Sequence, residues 1–325
     1  MSRGGGRRPR RGGARAGSAI HDGLVGERAL IGTPYLADPA LRSEYARDIA
    51  PRTRAALGKI LAEVFPPDAA APGRAIDLGA GTGAVGEALR ARFGADLDVV
   101  GVDRVAAPGV VTADLASALP AVEGRFDLIV AAHLLGELFV DRPADERVDA
   151  RAQRVCAWTE ELLAPGGTVI LVEPALRKTS RELLAVRDQL LALSDLAIVA
   201  PCFWTGACPA LARERDWCHD AVEVGGTPRV DFSYLVLRDR WKPIPGQLRS
   251  RVVSDPMPEK GRLKLYACGP TGRDPYIRLD RNESPANAAF AQLQRGDVAR
   301  ITNAVEASDG MRVEAATTVW RRPSP

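Results

Sequence analysis

Two groups of residues in this chain have the types and spacing to do chemistry. In Ala75-Ile76-Asp77-Leu78-Gly79-Ala80-Gly81-Thr82-Gly83 an apolar run ends on an acid and passes into a glycine-rich turn. Farther on, Cys202, Cys208, Cys218 and Cys268 lie in the second half of a chain whose one other cysteine is Cys156. Glycines in such a turn let the backbone approach a ligand that any side chain would hold off. Four thiolates can enclose one iron–sulfur cluster or one zinc ion.

Two cofactors compete for the glycine turn. Gly81-Thr82-Gly83-Ala84-Val85-Gly86 satisfies the dinucleotide pattern GxGxxG, which by itself is a weak signal. Asp77, two positions before Gly79, decides between them. A carboxylate there repels a pyrophosphate and attracts the ammonium of S-adenosylmethionine. Asp103, after Val99-Val100-Gly101-Val102, is placed to accept hydrogen bonds from ribose hydroxyls. Asp114, in Val111-Thr112-Ala113-Asp114-Leu115, is placed to meet an adenine amino group. Gly79, Gly81 and Gly83 with Asp77, Asp103 and Asp114 are therefore the candidate cofactor residues. A catalytic residue is harder to name. The Asn-Pro-Pro-aromatic signature of amino-group methylation is absent, as is a motif cysteine of the cytosine-carbon type. His133 and Glu137, four apart, are expected to share a helix face near the pocket. Their bland reading is a hydrogen-bonded wall, and the catalytic residue stays unassigned.

The cysteines are separated by five, nine and forty-nine residues, which matches neither paired zinc knuckles nor a standard ferredoxin run. Three of the four adjoin proline or a Gly-Pro turn, an odd place for core thiols. Cys156, beside Val155 and near Trp158, reads as a packed thiol. His219 is a substitute ligand candidate beside the stronger Cys218. If Cys268 joins the other three, a metal ties the end of the chain to its middle.

Elements that position these residues alternate from Arg74 to about Arg240. Expected strands are 75–78, 97–102, 126–131, 168–172, 197–200 and 232–237; expected helices are 84–93, 143–163 and 180–193. This is the pattern of a wound parallel sheet. Two helices precede it, one from Asp38 and one opened by Pro51 and ended by Pro66-Pro67. Trp241–Gly246 reads as a linker, and the short strands after it suggest a small β-rich, oligonucleotide-binding-like unit. The expected division is a disordered Arg/Gly tail at 1–18, a helical segment at 19–68, an α/β domain at 69–240 and a β-rich domain at 241–325.

At 325 residues and 46% hydrophobic the chain can bury one large core and a smaller one. Its net charge of +3 hides a polar layout. Residues 1–17 hold six arginines and no acid, and residues 241–325 hold 14 Lys+Arg against 9 Asp+Glu, which leaves an acidic middle. Basic ends suit a polyanion. No apolar stretch is long enough for a membrane span and no secretory block opens the chain, so reduced thiols and a bacterial cytoplasmic location are expected, ahead of a mitochondrial one.

The glycine turn, the three aspartates and Leu163-Ala164-Pro165-Gly166-Gly167-Thr168-Val169-Ile170-Leu171 together resemble class I S-adenosylmethionine-dependent methyltransferases over about residues 70–240. With Leu171-Val172-Glu173-Pro174, Ala200-Pro201-Cys202, Cys208-Pro209, Asp216-Trp217-Cys218-His219, Phe232–Leu237 and Arg295-Gly296-Asp297, residues 40–300 resemble a narrower group. It is the small-ribosomal-subunit methyltransferase-like family, bacterial relatives of the mitochondrial assembly factor methyltransferase-like protein seventeen. The resemblance implies a Rossmann-like fold, a 4Fe–4S cluster on Cys202, Cys208, Cys218 and Cys268, and binding to small-subunit ribosomal RNA during assembly; separately, a monomer is expected. The resemblance also implies an assembly or maturation factor, with an active ribosomal-RNA methyltransferase as the alternative. A zinc-stabilised small-molecule methylase is a third reading, which leaves the basic ends idle. The connection between Cys218 and Phe232 is short for the family.

Overall fold

The computed structural model of the protein describes residues 19–202, 204–239, 249–269 and 272–325. The expected tail and linker lie outside those residues. The first turns are α1 (Ala19–His21), a π-turn at Asp22–Gly26 and a 3-10 turn at Tyr35–Ala37. Helix α2 (Pro39–Asp48) starts where the Asp38 carboxylate accepts the Ala40 and Leu41 amides, with Pro39 in its first turn. Helix α3 (Ala50–Val64) follows almost without a break and ends before Pro66-Pro67.

Strands β1 (Arg74–Leu78), β2 (Asp98–Asp103), β3 (Val110–Thr112), β4 (Phe126–Ala132), β5 (Leu163–Pro174), β6 (Leu196–Ala200), β7 (Asp220–Val224) and β8 (Thr227–Asp239) form the first sheet. Its order is β3-β2-β1-β4-β5-β8-β6, with β7 paired to β8. Strands β1 to β5 run parallel, while β8 lies antiparallel between β5 and β6. The seven strands of that main path, with one reversed, form the class I methyltransferase arrangement expected from the sequence, and β7 adds an eighth.

Helices α4 (Ala84–Phe93), α5 (Ala144–Leu162) and α6 (Arg177–Leu193) complete the layers. Neighbours along β4 point to opposite faces, as a pleated strand requires. Leu128 and Val130 pack with Leu57 and Leu61 of α3 and Leu89 of α4, while Ile129 and Ala131 pack with Trp158 of α5 and Val186 of α6. Covering both faces explains why these strands read as unbroken apolar runs. The crossover from β1 to β4 reverses the winding, so a crevice opens at the carboxyl ends of β1 and β4.

A second sheet contains β9 (Ser250–Val252), β10 (Met257–Glu259), β11 (Arg262–Gly269), β12 (Gly272–Leu279), β13 (Val298–Thr302), β14 (Val305–Ala307), β15 (Gly310–Val313) and β16 (Thr318–Arg322). Its order is β14-β15-β12-β11-β9-β13-β16, around a core that includes Leu265, Phe290 and Leu293. Short connections separate β13 from β14 and β15 from β16. Strands β3, β7 and β10 were not expected. Among the described residues no helix is long and apolar enough to cross a membrane.

Candidate functional site

The glycine turn sits at the crevice. Gly79, Gly81 and Gly83 all have positive φ, and a Cβ at Gly79 would lie 3.2 Å from Leu134. The Gly79 and Ala80 amides donate to the Val102 carbonyl, which anchors the turn to β2. Asp103 holds it from the other side, accepting the Gly81 amide at 2.8 Å and the Val105 amide at 2.8 Å. A cavity of about 240 Å³ opens there, lined by Gly79, Gly81, Asp103, Asp114, Leu115 and His133 among others. Asp114 turns its carboxylate to the Ala116 amide and Ser117 hydroxyl, so it caps its own turn as well as lining the cavity.

Asp77 and Gly83 do not line that cavity. Asp77 lies under the turn, 2% exposed, and the Gly86 amide donates to its carboxyl. Its Oδ1 is buried without a partner. Burial first, and repulsion by Asp103 second, push its pKa up to about 8. The cavity wall fits the sulfonium donor in part, with Asp103 for hydroxyls and an apolar side at Leu115; the Asp77 carboxyl, with its one orphan oxygen, lies beneath the turn and outside that lining.

His133 and Glu137 do not share a helix face. His133 has φ of 58°, and only a single 3-10 turn, Leu135–Glu137, follows it. Strand β4 ends in a left-handed kink because the His133 amide is drawn to the Val172 carbonyl at 2.7 Å. Both side chains nonetheless line the cavity. Burial lowers the His133 pKa to about 4 and leaves its Nδ1 without a partner. Glu137 accepts the Tyr35 hydroxyl at 2.9 Å, and burial raises its pKa to about 7.

The four named cysteines converge. Cys202, Cys208, Cys218 and Cys268 line one small cavity with Arg251 and Arg273. Cys202 follows β6, Cys208 opens a 3-10 turn at Pro209–Leu211, Cys218 precedes β7, and Cys268 lies on β11 opposite Arg251 and Arg273. Burial first, then mutual repulsion, pushes Cys208 up to about 11 and Cys268 up to about 12, and raises Cys218. Arg187 braces the loop through the carbonyls of Gly206 and Trp204, and Asp188 accepts the Cys208 amide at 2.8 Å. Four thiols beside three guanidinium groups fit an anionic thiolate centre in donor chemistry. The space between them, about 20 Å³, suits a single water. Among the described residues no group of three His, Cys, Asp or Glu side chains is arranged to hold a metal ion.

Comparison with known families decides the lineage. The family model described as "Mitochondrial small ribosomal subunit Rsm22" matches residues 42–273. The chain belongs to the Rsm22 family. No curated protein matches the sequence. Among solved structures, the plantazolicin methyltransferase BpumL in complex with SAH is 14% identical, with a TM-score of 0.42 over 68% of this chain and 98% of that one. TrmN from Thermus thermophilus is 21% identical, with a TM-score of 0.36 over 61% of this chain and 52% of that one. A methyltransferase from Pyrococcus furiosus is 14% identical, with a TM-score of 0.34 over 58% and 82%.

Within this Rsm22 member several site residues escaped sequence reasoning. Glu173 ends β5 almost fully buried, accepts the Gly136 amide at 3.1 Å, and is raised by burial to about 7. A Cβ at Gly136 would come within 2.7 Å of Glu173 Oε2, so that glycine makes room for the acid. The signal was available: like Asp77 and Asp103, Glu173 is an acid closing an apolar strand. Tyr35 and Leu36 arrive from the N-terminal 3-10 turn and Tyr45 from α2 to wall the crevice, and no local pattern marks them as site residues. Arg251 is buried, donates to Glu63 of α3, and reaches the Pro201 carbonyl at 3.0 Å and the Gly296 carbonyl at 2.5 Å.

Proposed function

We propose that this chain is a small-ribosomal-subunit assembly or maturation factor that binds S-adenosylmethionine and carries a 4Fe–4S cluster on Cys202, Cys208, Cys218 and Cys268. One observation carries the reading: the match at 42–273 takes in both the glycine turn and all four cysteines. The donor would lie between Asp77, Gly79, Gly81, Gly83, Asp103 and Asp114. It supplies an electrophilic methyl group when bound. The partner is small-subunit ribosomal RNA, met by a monomer in a bacterial cytoplasm. The tail at 1–18 and the β-rich unit at 241–325 are the basic arms, flanking the segment at 19–68 and the domain at 69–240.

The second sheet supports an RNA-facing role. Burial first, then neighbouring Arg322 and Arg300, hold the Arg249 guanidinium below its usual range, and its Nε has no partner. Arg300 stands across the strand pair from Trp320, its guanidinium carbon 6.0 Å from the ring centroid, and Trp320 is 46% exposed. Crowded cations beside an exposed indole suit phosphates and a stacked base. Filter binding to small-subunit RNA over a salt series tests this. Arg300→Ala/Arg322→Ala should lower the slope of log affinity against log salt by about 1.4–1.8. Trp320→Ala should weaken binding by roughly tenfold without changing the slope. An unchanged slope removes the surface from the reading.

The cluster is tested separately by iron and acid-labile sulfide analysis after anaerobic purification; zinc without sulfide overturns it. An active ribosomal-RNA methyltransferase is the second reading, favoured by a chamber adjoining the donor crevice. Methyl incorporation into purified small-subunit RNA separates the two.

A further inference from the structure

Tyr35, Tyr45, His133 and Glu137 line the donor crevice and also a second, larger chamber of about 390 Å³. The new chamber adds Ile49, Pro174 and Phe232 as apolar wall, Glu173 as a second buried acid, and Arg28 and Arg52 as cations. Its polar groups are available. Glu173 gives Oε1 to one backbone amide, and His133 Nδ1 has no partner. Arg28 makes a single 3.4 Å contact to the Leu24 carbonyl, and the Arg52 guanidinium has no partner among the described residues. Arg229, also in the wall, is engaged by Asp231 and Asp255.

We infer that this chamber is an acceptor site for one unstacked RNA nucleotide, its base against the aromatic wall and its phosphate at Arg28 and Arg52. The inference rests on the proposed donor site and RNA partner, and deepens them. Base faces are taken up by aromatic and apolar walls, and Phe232 and the Tyr35–Tyr45 pair supply them. The free oxygen of Glu173 and the unpartnered His133 Nδ1 are left to meet the polar edge of the base. The nucleotide's phosphate then meets Arg28 and Arg52.

The test uses the full chain with S-adenosylhomocysteine at saturation, so that adenine cannot enter the donor crevice. Adenosine, cytidine and uridine 5′-monophosphates are titrated by calorimetry. Each monophosphate should bind about tenfold tighter than its own nucleoside, the gain of one charge-assisted hydrogen bond to the phosphate. Arg52→Ala should weaken the monophosphates by about tenfold while leaving the unphosphorylated nucleosides unchanged. Should Arg52→Ala fail to fold, Arg28→Ala carries the test. Equal affinity for nucleotides and nucleosides, or Arg52→Ala affecting nucleosides and nucleotides alike, overturns the inference. So does binding of lysine-bearing peptides in place of nucleotides. Failure of S-adenosylhomocysteine itself to bind marks instead the donor reading as wrong.

Discussion

Replacing Asp77 by Asn separates two effects of opposite sign. The carboxyl is buried, its Oδ1 has no partner, and it holds its proton to about pH 8. Its folded pKa lies above the ordinary 3.8, so its stabilising contribution is complete below that value and is lost as pH rises to about 8. At 1.4 kcal/mol per pH unit, that span sets an upper bound of about 6 kcal/mol, which hydration and relaxation reduce to a few. The unliganded Asp77→Asn protein should thus gain stability over wild type between pH 5 and pH 8 in denaturant titrations.

Donor binding reverses the balance. An ammonium at Oδ1 favours the carboxylate, so binding at pH 7 expels close to one proton from a group roughly nine-tenths protonated. Wild-type affinity should rise about tenfold per pH unit between 5.5 and 7. It levels off near pH 8, where an α-amino group loses its own proton. Asp77→Asn should bind about as well as wild type at pH 6, about tenfold more weakly at pH 7 and roughly fiftyfold more weakly at pH 8, following the ionised fraction of Asp77. Calorimetry in buffers of different ionisation enthalpy counts the proton directly. Wild-type affinity that is flat with pH, or a variant that keeps the same pH slope, refutes the assignment of Asp77 to the donor ammonium.

Two further outcomes follow from the thiols and from the contact between the sheets. Cys208→Ser should abolish iron and sulfide content while S-adenosylhomocysteine affinity stays unchanged, and Cys156→Ser should change neither; full iron content in the first variant removes Cys208 as a ligand. Arg251→Met strands Glu63 and two carbonyls and should cost about 3–5 kcal/mol in denaturant titration. Arg251→Met/Glu63→Met should recover part of it, and a single-variant loss below about 1 kcal/mol would place the pair outside the buried class.

The parallel strands were legible because burial on both faces forces continuous apolar runs, and the chemistry at their ends stands out as Asp77 and Asp103 against that background. Strands β3, β7 and β10 were not, since three to five residues become a strand only through their partners in the sheet. The His133 kink depends on a bond to Val172 thirty-nine positions away. Buried charges were also hidden. Glu63, Arg187 and Arg251 read as surface residues in a one-dimensional pattern, and only the fold shows that each is enclosed with its partners.

Sheet order explains why three sites coexist in one chain. The donor crevice gathers residues that follow β1, β2 and β4: Gly79, Asp103 and His133. The chamber gathers those at β4, β5 and β8: His133, Glu173 and Phe232. The thiols begin where β6 ends at Ala200 and where Cys218 leads into β7 and β8. Because β8 runs antiparallel, its residue Phe232 registers with Pro174 and Ser233 with Glu173, at the carboxyl end of β5. All three sites therefore stand side by side along one end of the first sheet, where strand ends release backbone and side chains to ligands, and Cys268 of the second sheet completes the thiol site. Ser233 donates to the Cys218 carbonyl at 2.8 Å while its neighbour Phe232 lines the chamber. A change in the loop carrying the thiols thus meets the chamber after one residue of β8, but the donor crevice only across β5 and β4. Loss of metal should accordingly disturb nucleotide affinity before it disturbs donor affinity.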